Sequence, residues 1–211
     1  MKLNREDMRL YAVTAEMQDK EELLRQVAQA IEGGVRIVQL REKELKGDAL
    51  LALARRFVKI CREGGAISII NDSVEICRDS GADGVHLGQG DMDARQARAI
   101  LGPEKIIGVS AHDAREAVQA ERDGADYLGS GAAFVTGTKT DAKPIDHDTY
   151  RAITDAVKIP VVAIGGITGE NMPQLAGRGL AGAAVVSAIF GKEDVRAASQ
   201  ELLALATKLF D

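Results

Sequence analysis

Eight short apolar runs, each followed by a stretch of helical periodicity, set the tightest limit on what this chain can fold into. The runs cover 10–14, 35–40, 66–70, 83–87, 105–109, 126–129, 160–164 and 183–186. They are continuously apolar rather than alternating, as expected of strands with both sheet faces covered. Between them, helices are expected over 20–31, 47–62, 73–79, 93–101, 113–122, 148–157, 170–176 and 195–209. In the first, Leu23, Leu24, Val27, Ala28 and Ile31 recur at helical spacing. Strands that alternate with helices of this length form parallel βαβ units.

The chain has 211 residues, with no Pro/Ser-rich linker and no low-complexity segment to mark a boundary. Eight units in that length fit one α/β domain over 1–211, a single (β/α)8 barrel of the TIM type. A doubly wound open sheet is the alternative. It is weakened by the lack of a GxGxxG after the first strand. The strings Gly81-Ala82-Asp83 and Gly124-Ala125-Asp126 recur just before strands and suggest a repeated unit.

Composition removes several function classes. Aromatic residues are 3% of the chain and Trp is absent, which leaves little for a base-stacking surface. The net charge of −5 disfavours a nucleic-acid footprint. Cys61 and Cys77 form no CxxC and suggest a reducing, cytoplasmic setting. The first nine residues are charged and do not read as a signal peptide. No apolar run approaches the roughly 18 residues of a membrane span.

In a (β/α)8 barrel the chemistry sits where the strands end. Those ends carry Gln39, Leu40, Arg41, Glu42 and Lys43, then Asn71 and Asp72, then His86, Gln89 and Asp91, then Ser110 and His112. A Gly/Thr-rich loop after the sixth strand adds Thr136, Gly137, Thr138 and Lys139. The last two strands end in Gly165-Gly166 and Val186-Ser187. Arg and Lys bind phosphate oxygens. Asp72 and Asp91, on neighbouring strand ends, suit Mg²⁺, which takes one or two carboxylates and completes its shell with water and phosphate. Each also has a plainer reading: Asp72 as the cap of the helix that begins at Ser73, and Asp91 as a solvated turn residue. Glycine turns at strands seven and eight suit a second anion. Two anion positions and a metal suggest a diphosphate meeting a monophosphate.

The strings Gln39-Leu40-Arg41-Glu42-Lys43, Ile70-Asn71-Asp72, His86-Leu87-Gly88-Gln89 with Asp91, Gly108-Val109-Ser110-Ala111-His112, Thr136-Gly137-Thr138-Lys139 and Ile164-Gly165-Gly166-Ile167 strongly resemble the thiamine-phosphate synthase family. Their order and spacing match over nearly the whole chain. The resemblance implies a transferase of thiamine biosynthesis that joins a hydroxymethylpyrimidine diphosphate to a thiazole phosphate and releases diphosphate. It implies that Gln39–Lys43, Asn71, Ser110 and Lys139 hold the pyrimidine diphosphate, and that Asp72 and Asp91 ligate Mg²⁺. It places the thiazole phosphate at Thr136–Thr138, Gly166 and Val186-Ser187. Arg41, Lys43, Ser110 and Lys139 are the expected catalytic side chains. The expected partners are these small molecules, with neither nucleic acid nor membrane, and homo-oligomerisation is left open.

One loop departs from the family. Gly131-Ala132-Ala133-Phe134-Val135-Thr136 stands where the family has Gly-Pro-x-Phe/Tyr-Pro-Thr. Without the prolines, ordering the loop costs more backbone entropy, and the loop 130–143 is expected to be mobile until ligands bind. Two other functions compete with the synthase. A thiazole tautomerase would use His112 for proton transfer and no metal. A non-catalytic sensor of a phosphorylated ligand would have no use for two metal carboxylates.

Overall fold

The computed structural model describes residues 3–135 and 145–210. Eight parallel strands close into a barrel in chain order. They are β1 (Leu10–Val13), β2 (Ile37–Leu40), β3 (Ile67–Asn71), β4 (Gly84–Leu87), β5 (Ile106–Ser110), β6 (Tyr127–Ser130), β7 (Val161–Ile164) and β8 (Gly182–Val185). β1 pairs with both β2 and β8, which closes the ring and excludes the open sheet.

Closure divides the apolar residues into two cores. Tyr11, Val13, Ile37, Ile67, Ile69, Ile106, Tyr127 and Val162 pack inside the barrel. Their neighbours Leu10, Ala12, Val38, Leu40, Ile70, Val85 and Val161 pack outward against the helices. Successive strand residues face opposite sides. Because each side is a core, period-two alternation disappears into apolar runs.

The recurring Gly-Ala-Asp has a structural reason. Asp83 Oδ2 accepts from Ser68 N–H at 2.9 Å and from the Ser68 hydroxyl at 2.7 Å. Asp126 Oδ2 accepts from Ile107 N–H at 2.7 Å and from Arg98 at 2.6 Å. Each Asp fastens the start of its own strand to the preceding one.

The helices are α1 (Lys20–Glu32), α2 (Gly47–Glu63), α3 (Val74–Ser80), α4 (Ala94–Leu101), α5 (Ala114–Arg122), α6 (His147–Ala156), α7 (Ser187–Phe190) and α8 (Val195–Leu209). Side chains cap most N-termini. Asp19, for example, accepts from the N–H groups of Glu21 and Glu22 at 2.9 and 3.1 Å. The helix expected over 170–176 is a single 3-10 turn, Met172–Leu175. Pro173 offers no N–H to extend it, and Gly177 follows in the left-handed region. A 3-10 turn at Arg5–Met8 and the short α7 were not expected, since four residues carry too little periodicity to register.

Candidate active site

The strand C-termini open into a cavity of about 580 Å³. Gln39, Arg41, Asn71, Ser110, Gly166 and Ser187 all line it, together with His86, His112 and Val186. Arg41 is half-buried there, with no ion-pair partner among the described residues.

Asp72, Asp91 and Lys43 meet beyond Asn71, and none of the three is among the residues that line the cavity; Asp91 borders a neighbouring hollow with Gly88 and Gln89. Lys43 Nζ donates to Asp72 Oδ2 at 2.6 Å. Asp91 Oδ2 accepts from Gly88 N–H at 2.7 Å, which closes the turn that follows β4. Burial pushes the Asp91 carboxyl above the usual carboxylate range. The neighbouring Asp72 charge and contact push the same way, against Gly88 N–H and Lys43. The two carboxylates are therefore close enough to repel.

Capping does not explain Asp72. Ser73 is the cap of α3, with its hydroxyl accepting from Ile76 N–H at 3.2 Å. Asp72 instead occupies φ +64°, alone among the described non-glycine residues in that region. Ser73 N–H donates to Asn71 C=O at 2.8 Å across it, so Asp72 is the centre of a γ-turn. Its own N–H donates to His86 C=O at 2.8 Å, where β3 meets β4. Backbone strain of order 1–3 kcal/mol at such a residue persists only where the surroundings impose it.

Among the described residues, no three or more His, Cys, Asp or Glu side chains are grouped so as to hold a metal ion by themselves. The two-carboxylate rim fits Mg²⁺ all the same, because that ion keeps several positions for water and phosphate. A Zn²⁺ site would need more protein ligands.

Below the mouth, polar side chains cross the barrel interior. Gln39 Nε2 donates to the Tyr11 hydroxyl at 2.8 Å, and the Tyr11 and Tyr127 hydroxyls lie 2.8 Å apart. Tyr127 Oη is 3.0 Å from His86 Nδ1, and His86 Nε2 is 3.1 Å from Ser110 Oγ. Burial pushes His86 down to about 4, against the pull of the Asp72 charge, so its ring is neutral at neutral pH. Desolvation likewise raises both tyrosines above their usual range. Tyr11 and Tyr127 were not anticipated as site residues. The available signal was chemical: an inward Tyr in an aliphatic barrel must find a partner for its hydroxyl.

The far side of the mouth is a glycine turn. Gly165 and Gly166 have φ +101° and +65°. A Cβ on Gly166 would stand 2.5 Å from Val135 C=O, so glycine is required twice over. Ala133 and Phe134 donate their N–H groups to Ile164 and Gly165 C=O at 2.8 and 3.0 Å. The first part of the proline-free loop is thus fastened to β7. Thr136, Gly137, Thr138 and Lys139, with the rest of that loop to residue 143, lie outside the described residues.

Besides Lys43, which goes to Asp72, two residues of the second strand end do not face the cavity with their side chains. Leu40 packs outward in the helix-facing core. Glu42 is buried, and its carboxylate takes Lys20 Nζ at 2.6 Å and the N–H groups of Glu44 and Leu45 at 2.7 and 3.1 Å. Despite its burial, these partners hold it below the usual carboxylate range. Glu42 shapes the turn that carries Arg41 and Lys43. His112 Nδ1 is 2.9 Å from Glu116 Oε2 at the cavity wall.

A closed (β/α)8 barrel that gathers cations, paired carboxylates and a glycine turn at its C-terminal mouth belongs to the barrel enzymes. Residues 10–189 match the family model described as thiamine monophosphate synthase, and the chain belongs to that family. It is 48% identical over 180 residues to the thiamine-phosphate synthase of Moorella thermoacetica, covering 85% of this chain and 86% of that one. It is 43% identical to the thiamine-phosphate synthase of Methanobrevibacter smithii, over 95% and 96% of the two chains. The solved thiamine phosphate pyrophosphorylase of Pyrococcus furiosus superimposes with a TM-score of 0.89 at 37% identity, covering 98% of this chain and 99% of that one. No helix among the described residues is long and apolar enough to cross a membrane.

Proposed function

We propose that this chain joins a hydroxymethylpyrimidine diphosphate to a thiazole phosphate, giving thiamine phosphate and diphosphate. The observation that carries this reading is the meeting of Asp72, Asp91 and Lys43 next to Asn71, at the edge of a cavity lined by Arg41, Asn71 and Ser110. The reaction breaks the C–O bond between the pyrimidine methylene and diphosphate. It forms a C–N bond to the thiazole, with no net proton transfer. The amino group of the pyrimidine stabilises positive charge at that methylene, so diphosphate leaves first. No covalent nucleophile or general base is needed, which agrees with a neutral, fully hydrogen-bonded His86.

Asp72 and Asp91 would hold Mg²⁺, which when bound supplies positive charge to the departing diphosphate. Arg41, Lys43 and Lys139 would meet the diphosphate oxygens and stabilise the charge that grows on them. Asn71, Gln39 and Ser110 would orient the pyrimidine, and the backbone at Leu40 and the carboxylate of Glu42 would maintain the turn that presents Arg41. Thr136, Gly137 and Thr138 would contribute to the thiazole phosphate from the loop after β6. On the opposite wall, Gly166, Val186 and Ser187 would hold the same phosphate. The first turn of a helix leaves backbone N–H groups without partners, and barrels commonly seat phosphate after strands seven and eight.

The tautomerase reading is less well supported. His112 is engaged by Glu116, and that reaction has no use for the Asp72–Asp91 pair. The direct test supplies both substrates with and without Mg²⁺ and follows thiamine phosphate. Formation that depends on Mg²⁺ and falls to background in Asp72→Ala and Asp91→Ala is expected. Metal-independent turnover, or wild-type rates in either variant, would overturn the assignment of the pair.

A further inference from the structure

The chain from Gln39 through Tyr11, Tyr127 and His86 to Ser110 has a direction. Gln39 Nε2 only donates, so the single hydroxyl hydrogen of Tyr11 cannot go to it. Tyr11 is buried, and among the described residues the acceptor within reach is Tyr127 Oη. Tyr127 then spends its own hydrogen on His86 Nδ1. With Nδ1 accepting, the neutral imidazole carries its proton on Nε2 and donates to Ser110 Oγ. The hydroxyl hydrogen of Ser110 is left to point into the cavity, which Ser110 lines. Run the other way, the chain strands the buried Tyr11 hydrogen without an acceptor.

The barrel makes room for this chain with missing side chains. A Cβ on Gly108 would lie 2.1 Å from Cζ of Tyr127. One on Gly129 would lie 2.9 Å from Cε1 of His86. Gly108 on β5 pairs directly with Tyr127 on β6, and Gly129 on β6 admits the His86 ring reaching across β5 from β4.

We propose that Tyr11, Tyr127 and His86 are positioning residues that present Ser110 as a hydrogen-bond donor to an acceptor atom of the pyrimidine substrate, with His86 kept as the Nε2–H tautomer. Only the identity of that substrate rests on the synthase reading. The consequence is a wall of the cavity whose polarity is set from the opposite side of the barrel. A ligand that places an acceptor against Ser110 meets the one hydroxyl hydrogen the chain leaves free.

The test has one arm that needs no activity. The chain has three histidines, His86, His112 and His147, so ¹⁵N-histidine labelling with a His86→Gln reference assigns the His86 ring. A protonated Nε2 and an unprotonated Nδ1 are expected in wild type. An Nδ1–H tautomer would overturn the proposal whether or not any variant folds. The kinetic arm is a cycle of Tyr127→Phe and Ser110→Ala. Tyr127→Phe is expected to lower kcat/KM for the pyrimidine diphosphate about tenfold alone and less than about twofold in the Ser110→Ala background. Equal losses in both backgrounds would show a merely structural role. Tyr150→Phe removes a buried hydroxyl that donates to Ser130 C=O elsewhere, and controls for general destabilisation. A wild type that makes no thiamine phosphate yet shows the Nε2–H ring would overturn the synthase reading and leave the chain's direction standing.

Discussion

Lys43 Nζ lies 2.6 Å from Asp72 Oδ2, so the cation expected at the diphosphate rests on a carboxylate expected at the metal. Both side chains are partly exposed, at 44% and 35%, and such pairs contribute at most about 1 kcal/mol. The pair is weak enough to exchange when Mg²⁺ and diphosphate arrive together. Lys43→Met is therefore expected to bind Mg²⁺ alone up to about fivefold more tightly, the equivalent of that 1 kcal/mol. It is also expected to turn over on the order of 10²-fold more slowly, as when one preorganised charge partner is lost. Calorimetric metal titration beside steady-state kinetics separates the two effects. Weaker metal binding in the variant would remove this account.

Asp72 combines a strained backbone with a functional carboxylate. Asp72→Gly relieves the positive φ of +64°, whereas Asp72→Ala keeps it. The glycine variant is expected to be more stable than the alanine variant by about 1 kcal/mol, the cost of the left-handed region for a residue with a Cβ. Elsewhere glycine is the less stable of the two. Both should lose Mg²⁺-dependent turnover. Urea denaturation of the pair decides, and equal midpoints would show that the turn stores no strain.

Asp91 predicts a pH-dependent gain. Burial and the Asp72 charge raise its carboxyl above the unfolded value. A raised group contributes stability that is present below the unfolded pKa and lost as pH rises through the folded one. Without metal at pH 7, the ionised Asp91 thus costs stability. Asp91→Asn should raise Tm at pH 7, keep the bond from Gly88 N–H, and lose its advantage in acid. Added Mg²⁺ should stabilise wild type and leave the variant unmoved. A variant that melts below wild type at pH 7 without metal would contradict the sign.

His86 predicts acid sensitivity of the opposite kind. Its ring is pushed down to about 4, below the usual 6.5. The unfolded chain then binds more protons between those values, so stability falls as pH drops from about 6.5 to about 4. The loss attributable to this ring is about 3 kcal/mol over that window. His86→Gln should flatten that part of the acid-unfolding curve, measured by denaturant titration at several pH values. An unchanged slope would mean that His86 titrates normally in the folded chain.

Lys139 is placed by sequence alone. Lys139→Ala is expected to lower kcat more than it weakens thiazole phosphate binding, because charge on the leaving diphosphate grows toward the transition state. Normal kcat with a raised KM for the pyrimidine diphosphate would assign it to ground-state binding instead.

Much of this molecule was legible in its sequence. Eight apolar runs alternating with helices determined a parallel, doubly covered sheet, because only strands with two cores can be apolar on both faces. Strand ends then ranked the polar residues: Gln39, Arg41, Asn71, Ser110 and Gly166 stand around one cavity, as their positions required. What sequence could not decide is which way a side chain goes once it leaves the rim. Glu42 and Lys43 are neighbours, yet Glu42 turns away from the cavity to Lys20 and Lys43 crosses to Asp72. Nor could it foresee the chain through Tyr11, Tyr127 and His86, whose partners lie 116 and 41 residues apart. Such contacts exist only because barrel closure brings β1, β4 and β6 around a common interior. Local pattern determines the elements and their covered faces. The direction of a buried hydrogen bond depends on donors and acceptors that only the closed fold assembles.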